Sequence, residues 1–367
     1  MSVHKKSNGK WCARYRDEQG INRQKSFELK KDAIAYERNQ KRALERGEWV
    51  DPKGTRTKLS EVFEMYFQTK QELAPKSKNS IESIWRCHIE PRFGSAPLNS
   101  ITMAATTKWM TDAVLGENSN TTSGRITKAQ ELLSTLLDFS VDHGFIIKNP
   151  LRKSNGRIHK IALPKNDKSR IPMALTSGEL VNLAGNCGVF EPLVLFAGVT
   201  GLRWAEIVGL RVGDINLSTG RVVVDKSLSE VNGTFFEKST KSGQTRSVVV
   251  PKYLHPHLVT QMQGKAESDY LFSNSIGNPL SLSNFTKRVF KPAIAAAGVP
   301  PVTPHDLRHT AASNAIALGA NILSVANMLG HSDPTITLKR YGHLFSKDQD
   351  LLSDSLSNQY LSLVLEV

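Results

Sequence analysis

Between residues 10 and 16 the chain alternates, with Trp11, Ala13 and Tyr15 interleaved by Lys10, Cys12, Arg14 and Arg16. A period of two is that of a strand with one face buried. Turn-forming residues flank it, Ser7-Asn8-Gly9 on one side and 17–20 on the other. The basic run Asn22–Phe27 is placed to pair with it. At 30–46 the period becomes helical, with Ala33, Tyr36, Ala43 and Leu44 as the apolar stripe. The expectation for 1–55 is a three-stranded sheet backed by one helix. Arg14 and Arg16 would share the face away from Trp11. A polar stretch with Pro and Gly at 50–58 reads as a linker. The pattern predicts helices over 59–71, 76–89, 103–115 and 124–143, a polar loop at 118–123, and a stop at Asn149-Pro150. A second linker, 153–169, is rich in Lys, Arg and Asn. Thr176-x-x-Glu179 then has the form of a capping box. Helical patterns follow at 195–201 and 203–210, and two β-branched strands, RVVV at 221–224 and RSVVV at 246–250, flank a polar hairpin holding Lys238 and Lys241. Helices return from Ser283. The fold class is α+β, mainly helical, in three segments: 1–55, 59–165 and 170–367. No internal repeat is visible.

Charge sharpens this division. The net charge is +14. Residues 1–58 carry 16 Lys and Arg against 8 Asp and Glu, residues 59–165 carry 14 against 10, and residues 166–367 carry 18 against 16. The excess lies toward the N-terminus, where a basic surface would capture a polyanion. No run of 18 apolar residues exists, and the basic start SVHKKSNGK is not followed by an apolar core, so neither a membrane span nor a signal peptide is expected. The cysteines, Cys12, Cys87 and Cys187, are odd in number and far apart, which suits a reducing cytoplasm.

Four motifs in the third segment carry chemistry: GLRWAE (201–206), TKSGQTR (240–246), HDLRHT (305–310) and LGHSDPTITLKRY (329–341). His305 and Arg308 are i and i+3 at a helix start announced by Thr303-Pro304, on one face and near the positive end of the helix dipole, a place that favours phosphate. The apolar stripe Leu307, Ala311, Ala315 and Leu318 points elsewhere. His305 and His309 also have the i, i+4 spacing of zinc-binding helices. The residues between them include Arg308 and no Glu, and no third ligand is evident, so no metal is expected. Taken singly, Arg203 reads equally as a surface charge, Lys241 as a solvated hairpin lysine, His331 as a histidine settled at a helix end, and Tyr341 as a packed aromatic.

Order and spacing join them. The chain resembles the tyrosine recombinases, or phage integrases, over essentially its whole length. Thr200-Gly201-Leu202-Arg203-Trp204-Ala205-Glu206 matches that family's T-G-x-R-x-x-E, Lys241 its hairpin lysine, His305–His309 its H-x-L-R-H, Leu329–Ser332 its LGH(S/R), and Lys339-Arg340-Tyr341 the context of its nucleophile. Residues 59–165 resemble the helical core-binding domain, and 1–55 the arm-binding domain of larger integrases, which simpler Xer-type recombinases lack.

The resemblance implies a site-specific recombinase acting on double-stranded DNA without metal, cofactor or ATP. Arg203 and Arg308 would hold the scissile phosphate, with a guanidinium geometry suited to two contacts. Tyr341 would attack to give a 3′-phosphotyrosyl bond, with His305 as the family-implied base, Lys241 as the acid and His331 bonded to the phosphate. Glu206 and His309 would be supporting. Lys10, Arg14 and Arg16 would bind arm-type DNA. The resemblance also implies a homotetramer on synapsed core-type sites, integration or excision of a phage or other mobile element, a host DNA-bending protein and a directionality factor as partners, and a place in the bacterial cytoplasm at the nucleoid. The apolar tail around Leu351, Leu352, Leu356 and 360–365 would pack on a neighbouring protomer, the alternative being its own domain. The alternatives are a DNA-binding regulator on the same fold and a type IB topoisomerase-like enzyme.

Overall fold

The computed structural model of the protein describes every residue except 1, 18–19, 48, 52–53, 117–120, 164–172, 240–244, 345–352, 355 and 362–367. The chain divides into two compact units, Met1–Ser169 and Arg170–Val367.

The first unit opens with an antiparallel sheet, β1 (Ser2–Lys5), β2 (Trp11–Arg16) and β3 (Asn22–Phe27), in that order, followed by α1 (Lys30–Glu45). The two strands with clear alternation lie where the pattern places them, and β1 supplies the third. Ala13 and Tyr15 are buried, with Tyr15 meeting Tyr36 of α1 edge-on. Arg14 lies opposite Gln24, and Arg16 opposite Asn22. Directly opposed residues share a face, and these four are exposed. Cys12 departs from the alternation: it is buried on that otherwise polar face, its thiol near Gln24 Oε1 at 3.6 Å.

Among the described residues, this unit continues with the α-helices α2 (Leu59–Gln68), α3 (Pro75–Ile84), α4 (Met103–Leu115) and α5 (Ser123–Asp142). Thr102 and Thr122 cap the last two by accepting from Ala105 N–H and Arg125 N–H. The helix expected over 76–89 continues instead as a π-helical stretch, Trp85–Gly94, containing Pro91. A proline cannot donate the α-helical bond and crowds the preceding turn, and a wider winding carries the chain past it. The core gathers on α5, where Ile126, Ala129, Leu133, Leu136 and Leu137 are fully buried.

The second unit begins with α6 (Ser177–Gly185), whose capping box is formed as expected by Thr176 and Glu179. The buried α7 (Glu191–Thr200) follows, then the short α8 (Trp204–Ile207). Strands β4 (Ile215–Asn216), β5 (Arg221–Val224), β6 (Lys226–Val231), β7 (Thr234–Ser239) and β8 (Arg246–Val249) come next. β5 pairs with β8, and the β6–β7 hairpin is inserted between them. Val222, Val224 and Val248 point inward as the period-two pattern requires. The remaining helices are α9 (His255–Met262), α10 (Leu282–Phe285), α11 (Lys291–Ala297), α12 (Asp306–Ala317), α13 (Ile322–Leu329) and α14 (Pro334–Tyr341). The main core joins α6 and α7 to the sheet. A smaller cluster, Ala312, Ile316, Val325, Leu329 and Tyr341, joins α12, α13 and α14. Of the tail residues singled out above, Leu351, Leu352 and 362–365 lie outside the described residues, while Leu356, Tyr360 and Leu361 are exposed. Among the described residues no helix is long and apolar enough to cross a membrane.

Candidate active site

The site forms where the α7–α8 junction, the first turn of α12 and the start and end of α14 converge. Gly201 ends α7 at φ +65°, a conformation open to glycine, and a side chain there would begin 2.8 Å from Leu329. Two residues later Arg203 is the N-cap of α8. Its N–H donates to Glu206 Oε2 at 2.8 Å, its Nη1 to Glu206 Oε1 at 3.0 Å, and its Nη2 to the Gly330 carbonyl at 3.3 Å. Glu206 is buried and also accepts from Arg246, with Nη1 at 3.1 Å from Oε1 and Nη2 at 2.7 Å from Oε2. Burial pushes this carboxyl up, but the Arg246 hydrogen bonds and charge, with those of Arg203, outweigh it and hold it below the usual carboxylate range.

Arg308 lies deeper than its spacing suggests. It shares the helix start with His305, but His305 is exposed and Arg308 is buried. Its Nη1 donates to the Gly201 carbonyl at 2.7 Å, and its buried Nη2 has no partner among the described residues. Burial and the neighbouring Arg203 bring it down to about 10, which leaves it charged at neutral pH. Leu307, its chain neighbour, fills the main core as expected.

Tyr341 is also buried, and its hydroxyl lies 2.6 Å from His309 Nδ1. The His309 ring meets that of His305 edge-on with centroids 5.3 Å apart. His331, just past Gly330, has Nδ1 2.7 Å from Thr337 Oγ1. Burial lowers all three histidines, aided by arginines: Arg308 for His305, Arg340 for His309, and Arg308 with Arg203 for His331. His309 and His331 are each brought to about 4. Burial raises Tyr341, against the pull of Arg308 and Arg340. At neutral pH the site therefore holds neutral imidazoles, a protonated phenol and charged arginines. Among the described residues no group of three His, Cys, Asp or Glu could hold a metal.

Comparison with known proteins places this arrangement. Residues 190–348 match the model described as the phage integrase family, and 58–112 match that of the phage integrase N-terminal SAM-like domain. Tyrosine recombinase XerC of Bacillus pumilus is 31% identical over 237 residues, covering 59% of this chain and 69% of that protein. The chain belongs to the phage integrase family of tyrosine recombinases. XerD of Halalkalibacterium halodurans is 33% identical over 202 residues, or 53% of this recombinase, which spans 64% of that relative's length. A putative prophage phiRv2 integrase of Mycobacterium tuberculosis is 27% identical over 372 residues, 96% of this chain and 95% of the other. Among solved structures, the fold is shared with the Tn1549 transposon integrase in complex with circular intermediate DNA (18% identity, TM-score 0.66, 82% of this chain and 100% of that one). It is shared also with a lambda integrase tetramer bound to a Holliday junction (18% identity, TM-score 0.55, 91% and 96%).

Of the positions singled out in the sequence, the structure brings Arg203, Glu206, His305, Arg308, His309, His331 and Tyr341 of this recombinase together. Lys241 lies outside the described residues, and its neighbour Lys238 is half-buried in β7. Arg14 and Arg16 are on the N-terminal sheet of the first unit, and Lys10, directly before β2, pairs with Glu28 at 2.6 Å. Sequence reasoning missed Arg246, which closes the Glu206 clamp, and Thr337, which holds His331. Arg246 stood in view as the last residue of TKSGQTR. Nothing in that motif, however, shows that its guanidinium turns inward, and Thr337 lies in a helix of otherwise ordinary composition.

Proposed function

We propose that this recombinase cleaves and rejoins DNA through a 3′-phosphotyrosyl intermediate, integrating or excising a phage or other mobile element. The supporting observation is the coupled pair Arg203 and Arg308. Arg308 interacts with both Arg203 and Tyr341 and keeps a buried donor unused. A buried donor without an acceptor is costly, and a phosphate oxygen supplies the acceptor it lacks. Guanidinium groups fixed before the substrate arrives stabilise the charge that builds on phosphorus. Tyr341 is the nucleophile in this reading, Lys241 protonates the departing 5′-oxygen, and His305 and His331 face the phosphate. Glu206 fixes Arg203. The bond energy is kept in the phosphotyrosyl link, so a 5′-hydroxyl of a partner duplex reverses the step without ATP.

We assign 59–165 to core-type DNA and 1–55 to arm-type DNA, with Lys10, Arg14 and Arg16 on the arm-facing surface. The exposed polar face of the sheet suits entry into a groove. The active assembly in this reading is a homotetramer on two synapsed sites, as in the lambda integrase complex, assisted by a DNA-bending protein and a directionality factor in the cytoplasm of a bacterial host.

The test is covalent trapping on a nicked duplex carrying the attachment site mapped from integration junctions. The full chain should form a denaturant-resistant DNA adduct, absent in Tyr341→Phe, whose DNA binding stays near that of the parent. An adduct that survives Tyr341→Phe, or none from the parent protein, overturns the assignment; relaxation of supercoils without strand exchange would favour the topoisomerase reading.

A further inference from the structure

We propose that His309, rather than His305, takes the proton of the Tyr341 hydroxyl as the tyrosine attacks phosphorus. The inference rests on the function proposed above and departs from the base implied by family resemblance. Geometry carries it. His309 Nδ1 is 2.6 Å from the hydroxyl, within reach for direct transfer. Both side chains are about 4% exposed, so no bulk water competes for that proton. His305 is exposed and makes no hydrogen bond to Tyr341; its ring stands against the far partner of the pair, His309.

The charged and titratable groups around His309 fit the role. Arg340 of α14, with His305 and Arg308 of α12, disfavours a positive imidazole, and Asp306 favours one. Burial is the larger effect and acts in the same direction as the cations, so the ring is neutral and the hydroxyl donates to Nδ1. The resting proton stays on oxygen. A scissile phosphate entering beside Arg308 offsets that cation and makes an imidazolium less costly. In the step, the Oη–H bond breaks and its proton moves to Nδ1. The Oη–P bond forms as the bond from phosphorus to the 5′-oxygen breaks. That oxygen leaves with its electron pair and takes a proton from Lys241. On rejoining, the imidazolium returns its proton to Tyr341.

The test isolates nucleophile activation. The attachment-site duplex carries sulfur in place of the bridging 5′-oxygen, so the leaving group needs no acid. Adduct formation by the full chain is followed against pH for the parent, His309→Asn, His309→Gly and His305→Asn, with melting temperature and DNA affinity measured for each. His309→Asn should slow adduct formation about 100-fold with affinity unchanged, and imidazole should restore His309→Gly. The loss of rate at low pH should persist in His305→Asn. The inference is overturned if His309→Asn stays within about threefold of the parent, if folded His309→Gly is not rescued, or if His305→Asn alone removes the low-pH limb. The last measurement decides even where the His309 variants fail to fold. A parent protein that forms no Tyr341 adduct sinks the proposed function itself.

Discussion

Glu206 and Arg246, 40 residues apart, form a two-point ion pair in which each carboxylate oxygen accepts one guanidinium N–H, at 3.1 and 2.7 Å. The same carboxylate holds the backbone and side chain of Arg203. Arg246 opens β8 directly after the segment that contains Lys241, so the pair ties that strand to Arg203. Removing one partner of a buried pair costs about 3–5 kcal/mol, and here the carboxylate would keep only Arg203, which places the loss at the lower end. Arg246→Met should therefore lower stability by about 3 kcal/mol and slow cleavage more than it weakens DNA binding. Urea unfolding and adduct-forming rates check the two effects; a variant with parental stability would show that the pair is not a clamp.

The same pair sets an acid limit. The folded-state Glu206 carboxyl is held below its ordinary value, so it contributes stability that is present above the unfolded pKa and lost as pH falls through the folded one. Below about pH 4.5 the parent should lose stability more steeply than Glu206→Gln, which starts lower and has no such charge to lose. Parallel slopes in thermal scans from pH 6 to 3 would contradict this.

His309 adds a second, higher acid window. Its folded pKa of about 4 lies below the ordinary histidine value of 6.5. The unfolded chain therefore takes up a proton first as pH falls below 6.5, and stability declines until the folded ring titrates as well. A gap of this size corresponds to about 3 kcal/mol between pH 7 and pH 4. His309→Asn should flatten that part of the stability profile; an unchanged slope would mean that the ring is not kept neutral by its surroundings.

Gly330 is constrained from two sides. It has φ +64°, and a Cβ there would stand 2.7 Å from the Arg246 guanidinium carbon, while its carbonyl accepts from Arg203. Gly330→Ala meets both backbone strain and a crowded buried cation. The expected outcome is a loss of about 2 kcal/mol and a cleavage rate reduced at least tenfold, read by thermal melting and adduct formation. Full activity in the alanine variant would remove Gly330 from the clamp.

Much of this was legible from local pattern. Strands 11–16 and 22–27, helix 103–115 and the Thr176 capping box each follow from period or cap chemistry local to the element. What was hidden depends on contacts across the fold. His309 and Tyr341 are 32 residues apart, and only the packing of α12 against α14 brings ring to hydroxyl. Arg308 shows the same limit: spacing puts it on a face with His305 but cannot say that one is buried and the other exposed. Residue type alone leaves Arg203 a surface charge, and only the family resemblance implies a phosphate contact. The bonds of Arg203 to Glu206 and Gly330 show that the side chain is built into the fold.

The N-terminal sheet makes a separate prediction about affinity. Arg14 and Arg16 extend from the face that also carries Asn22 and Gln24. Arg23, on the opposite face, is held by Asp17 at 2.8 Å and Asp51 at 2.7 Å. Each released phosphate contact should reduce the slope of log affinity against log salt by about 0.9. Arg14→Ala with Arg16→Ala should thus lower the slope for arm-type DNA by about 2 while leaving core-type binding unchanged. Arg23→Ala should instead cost folding stability, because it leaves Asp17 buried without its cation. Fluorescence anisotropy over a salt series, with both DNA types, separates these effects. An equal loss on both DNA types would show that the sheet does not discriminate between them.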